Sequence, residues 1–170
     1  MKWLAQLMCG YQIWNLFACI VCAPFRNAAF LGHHTMTAVL SYLVCHPYGT
    51  YYVLFFLGVA ELTNIPLGIV DIQRRFPSLV PIQVVRDLAN AVFVFGFFAL
   101  RIFVWMYVSA AFWVDTVELI SSGASHDTRV SIFFLAGNAF MCFLQLFWAK
   151  KIGKFAWKML RERMGHAKGA

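Results

Sequence analysis

Two adjacent histidines, His33 and His34, stand in a mostly apolar stretch with Thr37 and Ser41 close behind them. Imidazole is the side chain most easily poised as acid or base near neutral pH, so the pair is a candidate for proton transfer. His33, Thr37 and Ser41 recur at i, i+4 and i+8 and share one helical face. His34 points about 100° away from that face. Two neighbouring imidazoles turned apart cannot both serve one partner, but both can line a wide cavity. They equally fit a pair of interfacial histidines at a helix start.

A second constellation is Glu61-Leu62-Thr63-Asn64-Ile65-Pro66-Leu67-Gly68. Glu61, Asn64 and Gly68 share a helical face, and Pro66 frees the carbonyl of Leu62 from its helical bond. A carboxylate, an amide and a broken helix suit a lined cavity better than a lipid-facing wall. Asn90 and Arg101 lie eleven residues apart, hence on one side of a helix, and Asn138, Cys142 and Gln145 recur at i, i+4 and i+7. Asn15 interrupts the first apolar stretch. An ionisable group at a bilayer centre costs about 2.5–3.5 kcal/mol, whereas an interhelical hydrogen bond there returns about 0.6 kcal/mol on average. Polar side chains in every apolar stretch therefore read as converging. Asn15, Thr37, Ser41, Glu61, Asn64, Arg101, Asn138 and Gln145 are expected to line an intramembrane cavity or bind lipid. An Arg101–Glu61 pairing would neutralise both charges.

The elements that must position these residues follow from composition. Of 170 residues, 62% are hydrophobic and 12% charged, against about a quarter charged in soluble domains. That excludes a soluble enzyme, a disordered chain and, despite the net charge of +7, a nucleic-acid partner. Five stretches approach the ~20 residues a helix needs to cross a bilayer: 3–23, 28–45, 51–70, 88–114 and 130–149, the second short and the fourth long. The fold expected is all-α, an integral membrane helical bundle of about five transmembrane helices. One domain covers 1–163, and 164–170 form a short tail. The longer connections are 71–87, with Pro77 and Pro81, and 115–129, with a Ser-Ser-Gly-Ala-Ser turn signal. Gln6, Gln12 and Asn15 at near-helical spacing mark the first stretch as a bundle helix rather than a cleaved signal peptide. Cys9, Cys19, Cys22, Cys45 and Cys142 lie in or at the ends of apolar runs, and a single CxxC is a weak metal signal, so they read as small hydrophobes. Neither a metal nor a cofactor is expected.

The basic residues set the orientation. Lys150, Lys151, Lys154, Lys158, Arg161, Arg163 and Lys168 crowd the C-terminus. With that end cytoplasmic and five spans, the N-terminus is lumenal or extracellular. Eleven of the fourteen Lys and Arg then face the cytoplasm, against two opposite. The run 150–160 alternates basic and apolar residues as an amphipathic extension lying on the anionic cytoplasmic leaflet. Trp105, Trp113, Trp148 and Trp157 are candidates for interfacial belts.

Five stretches carry a family likeness: Gly10-Tyr11-Gln12-Ile13-Trp14-Asn15; His33-His34 with Thr37 and Ser41-Tyr42; Glu61-Leu62-Thr63-Asn64-Ile65-Pro66; Phe97-Phe98-Ala99-Leu100-Arg101-Ile102; and Leu144-Gln145-Leu146-Phe147-Trp148. In this order, over nearly the whole chain, they resemble the TLC-domain family of multi-pass membrane proteins. That family includes ceramide synthases, translocating-chain-associating proteins and small proteins of lipid homeostasis. Ceramide synthases carry an aspartate pair in the span after the histidines, where this chain reads Glu61-Leu62-Thr63-Asn64-Ile65-Pro66. Many members have an acid after Gly-Tyr, where this chain has Asn15. A further span usually precedes Gly10-Tyr11, which implies a short variant or an incomplete gene model.

The resemblance implies membrane lipids as partners, with a second copy or another membrane protein beside them, and the endoplasmic reticulum ahead of the plasma membrane as location. The reading favoured by the departures is a non-catalytic protein that binds or senses lipid in membrane lipid homeostasis. The alternative is an acyl-CoA-dependent N-acyltransferase acting on a sphingoid base, with His33 or His34 as general base, Glu61 as the carboxylate orienting it, and acyl-CoA as substrate. A translocon accessory protein has no feature here that separates it from the first.

Overall fold

The computed structural model describes residues 2–46, 48, 51–79 and 82–167. All its regular structure is helical: α1 (Lys2–Val21), α2 (Ala28–Val44), α3 (Val53–Phe56), α4 (Asn64–Arg75), α5 (Gln83–Gly96), α6 (Trp105–Ser121) and α7 (Thr128–Ala167). Short 3-10 turns occupy Ala23–Phe25, Val59–Thr63 and Pro77–Leu79, and a π-helical segment, Phe97–Val104, joins α5 to α6 without a break. Among the described residues four runs are long and apolar enough to cross a membrane: Lys2–Val21, Val53–Arg75, Gln83–Ser121 and Thr128–Arg161. The chain is an all-α membrane bundle, as expected. Its second helix has 17 residues, about 25 Å at 1.5 Å per residue, short of the ~30 Å hydrocarbon layer.

Local chemistry sets the boundaries. Arg26 closes α1, its Nε and Nη2 both donating to the carbonyl of Ile20 at 3.1 and 2.7 Å. Asn27 caps α2 by accepting from the Phe30 amide at 3.0 Å, and the Asp127 carboxylate does the same for α7 through the amide of Arg129 at 2.8 Å. Several boundaries differ from the sequence expectation, among them the connection 71–87, which shortens because α4 runs to Arg75 and α5 begins at Gln83. The stretch 51–70 is no single helix: a Cβ on Gly58 would lie 2.5 Å from the carbonyl oxygen of Leu54, and at that close turn α3 gives way to a 3-10 run. The connection 115–129 shortens to 122–127, because α6 continues to Ser121 and carries Asp115 and Glu118 on its last turns. The run after Lys150 extends α7 as one unbroken helix to Ala167. Most of its residues are good helix formers, Gly153 and Gly165 being the exceptions at the low end, and no proline interrupts them. Of the expected tail 164–170, residues 168–170 lie outside the described residues, as does Pro81.

The chain divides into two compact units. The first comprises Met1–Glu61 and Trp105–Leu144. Here α1 and α2 form an antiparallel hairpin, with the Cys9 thiol near the carbonyl of Ala38 and Gln12 opposite His34. Ala5, Met8, Val44, Val53 and Leu57 make its core, with Leu4, Cys45 and Phe134 against it. The second unit comprises Leu62–Val104 and Gln145–Ala170. There α4 packs on α5, and Val70, Ala89, Phe93 and Phe97 form a core covered by Trp148, Ala149 and Ile152 of α7.

Candidate functional site

The first unit encloses a partly open cavity of about 70 Å³, the space of roughly five water-sized groups. Its wall comes from α2 (Thr37, Leu40, Val44), the segment around α3 (Tyr52, Val53, Phe56, Leu57), α6 (Trp105, Phe112) and α7 (Phe134, Asn138, Met141). Four aromatic rings pack edge to face along one side, with Phe56–Trp105 centroids at 4.8 Å and Tyr52–Phe112 at 5.3 Å. Edge-to-face rings place their positive edges on negative faces, which stiffens such a wall.

Three wall residues are polar, and each already has a partner. The Thr37 hydroxyl donates to the carbonyl of His33 at 2.8 Å. The Tyr52 hydroxyl donates to the Asp115 carboxylate on α6. Asn138 Nδ2 donates to the Ser109 hydroxyl at 3.1 Å, and its Oδ1 accepts from Trp113 Nε1 at 3.0 Å. Cys142 extends that network, accepting from Trp105 Nε1 at 3.3 Å. A polar group with a satisfied hydrogen bond contributes little polarity to the space beside it. The cavity therefore presents a largely apolar surface.

The histidines sit one turn before Thr37. His33 is buried, and its ring meets that of His34 edge-on with centroids 5.0 Å apart. His34 Nδ1 lies 2.6 Å from Gln12 Oε1 on α1. Accepted by that oxygen, the ring proton sits on Nδ1 and leaves Nε2 with its lone pair. Gln12 is 1% exposed, and an amide so deep in an apolar helix was the sequence signal for it.

Of the other expected site residues in this unit, Ser41 is fully buried, its hydroxyl without a hydrogen-bond partner among the described residues. Asn15 is half-buried, and its Nδ2 also has none. Glu61 is half-buried in the 3-10 run.

In the second unit Arg101 is 5% exposed and lies in the π-helical segment. Its Nε donates to the Thr63 hydroxyl at 2.7 Å and its Nη2 to Asn64 Oδ1 at 3.1 Å. Asn90 bonds within its own helix, to the carbonyl of Arg86 at 2.8 Å. Gln145 is fully buried, and neither end of its amide has a hydrogen-bond partner among the described residues. Thus Arg101 and Asn64 come together, Thr37 and Asn138 share the cavity wall, and His33 contacts His34. Sequence reasoning passed over Tyr52, Ser109 and Thr63 as site residues; hydroxyls beside aromatic or charged neighbours give no periodic signal.

Among the described residues no cluster of three His, Cys, Asp or Glu side chains could hold a metal ion. All five cysteines are free thiols. A family model of the TLC domain matches residues 1–154. No curated protein and no solved structure matches the chain significantly.

Proposed function

The chain belongs to the TLC-domain family of membrane proteins, and from that premise we propose that it binds a hydrocarbon chain of a membrane lipid in the first unit and acts in membrane lipid homeostasis. One observation carries this reading: every polar group on the cavity wall is already hydrogen-bonded, so what remains favours hydrocarbon over a headgroup. A cavity of about 70 Å³ takes a short run of methylenes, and each methylene transferred from water is worth about 0.8 kcal/mol. The excess of basic residues supports a cytoplasmic C-terminus, and the family's usual compartment is the endoplasmic reticulum.

Filling the cavity tests the reading. Val44→Phe places a ring where two or so methylenes would lie. Lipid retained through purification should fall on the order of tenfold by mass spectrometry. Val39→Phe, on the exposed side of the same helix, should retain wild-type levels. Equal retention in all three proteins would remove the cavity from the account.

A second reading rests on His34, whose bond to Gln12 leaves Nε2 as an acceptor. It is the N-acyltransferase, in which Nε2 takes the proton of an attacking amine. Lipid profiles of cells expressing wild type and His33→Ala/His34→Ala separate the two. Lipid binding leaves N-acyl sphingoid species alike in both. An increase with wild type that the variant lacks establishes the enzyme.

A further inference from the structure

The basic residues near the C-terminus do not act from one helix alone. Arg74, on the last turn of α4, holds its Cζ 5.0 Å from the centroid of the Phe155 ring on α7. Lys151 and Lys158 stand four residues before and three after Phe155 on the same side of α7, the Lys151 ammonium resting over the Phe147 ring 4.2 Å from its centroid. Lys154 immediately precedes Phe155. Arg74, Arg75, Lys150, Lys151, Lys154, Lys158 and Arg161 are all exposed, and α7 carries no Asp or Glu from 128 to 161. The patch is strongly cationic and is built from two helices of one unit.

Its depth follows from helix geometry. Within the run Thr128–Arg161 the uncharged apolar stretch is 130–149; Phe155 is five residues beyond Lys150, about 8 Å at 1.5 Å per residue. Headgroups occupy roughly 5–8 Å outside each face of the hydrocarbon layer. The Arg74–Phe155 contact therefore falls at headgroup depth. Exposed apolar side chains accompany the charges: Phe76 and Leu79 after α4, and Trp157 on α7. Cations beside exposed aromatic and aliphatic groups suit a membrane surface rather than a dissolved polyanion.

We propose that the end of α4 and the basic stretch of α7 form a binding site for the phosphorylated headgroup of an anionic phospholipid. Arg74 offers the planar fork that matches a phosphate, and Lys151 and Lys154 act as point charges beside it. This site is independent of the hydrocarbon cavity, and either can exist without the other.

The test titrates the full-length protein, purified in neutral detergent, with a phosphatidylinositol bisphosphate, with phosphatidylcholine and with soluble inositol trisphosphate, reading bound states by native mass spectrometry. Wild type should bind the bisphosphate lipid and prefer it over both others. Arg74→Gln/Lys151→Gln/Lys154→Gln should weaken binding roughly fivefold per charge, on the order of a hundredfold in all. The charge-keeping Arg74→Lys/Lys151→Arg/Lys154→Arg should retain most of it, and Lys2→Gln/Arg129→Gln should change nothing. Lys154→Gln alone, at an exposed position, gives the fivefold step should the triple variant fold poorly. Equal loss in the control pair, undiminished binding in the triple or in Lys154→Gln, or equal affinity for phosphatidylcholine or the soluble headgroup would overturn the proposal.

Discussion

Replacing Thr63 with Val, a change of one hydroxyl for one methyl, should destabilise the protein by about 2–3 kcal/mol. The hydroxyl accepts from Arg101 Nε at 2.7 Å, at a position 3% exposed. Hydrogen bonds to charged groups are worth about 1.5–3 kcal/mol, and deleting one partner leaves the other buried and unmet. In an apolar surrounding no water replaces the lost oxygen. Thr63→Ser keeps the acceptor and should cost under about 1 kcal/mol, the loss of one methyl. Unfolding in mixed detergent, followed by circular dichroism, measures both. The decisive comparison is a cycle with Arg101→Met: in that background Thr63→Val should cost little, leaving a coupling of at least about 1.5 kcal/mol. Additive costs would mean the contact is not what holds Thr63 in place.

That contact also shows how far the sequence could be read. Arg101 and Asn64 stood out because a charge and an amide in an apolar stretch are costly. Thr63 did not, for a reason of phase. On a continuous α-helix adjacent residues diverge by about 100°, so Thr63 and Asn64 read as facing different partners. The width of the guanidinium group spans that divergence: Nε reaches the Thr63 hydroxyl at 2.7 Å and Nη2 reaches Asn64 Oδ1 at 3.1 Å. The π-helical turn under Arg101 has a wider repeat than the α-helix, so the eleven-residue spacing from Asn90 no longer fixes a common side. The cavity was hidden for another reason. Polarity marks Thr37 and Asn138 in its wall, whereas most of the wall is Leu, Val, Phe and Trp. In a membrane protein such residues are everywhere and mark no site. The spans were legible because hydrophobic length needs no phase.

Gly137→Leu should be the second severe change, costing about 1–3 kcal/mol through overpacking and emptying the cavity of lipid as well. A Cβ at this position would stand 3.2 Å from both Met36 Sδ and Leu40 Cδ1. The glycine is therefore a point of close packing between α7 and α2. Lipid is as apolar as these side chains, so helices in a bilayer gain their association from close packing rather than from the hydrophobic effect, and small residues permit it. Met36 and Leu40 are flexible enough to yield to a single methyl, so Gly137→Ala should be mild. A full leucine side chain has no such room and must push α2 and α7 apart. Leu40 lines the cavity, as does Asn138, the residue next to Gly137, so the same displacement opens the wall. Gly10→Leu is the control, since a Cβ there meets nothing within 4 Å. Thermal unfolding should rank the three variants Gly10→Leu, Gly137→Ala, Gly137→Leu in increasing damage, and retained lipid should follow the same order. A destabilised Gly137→Leu protein that still retained lipid fully would place the hydrocarbon somewhere other than between these helices.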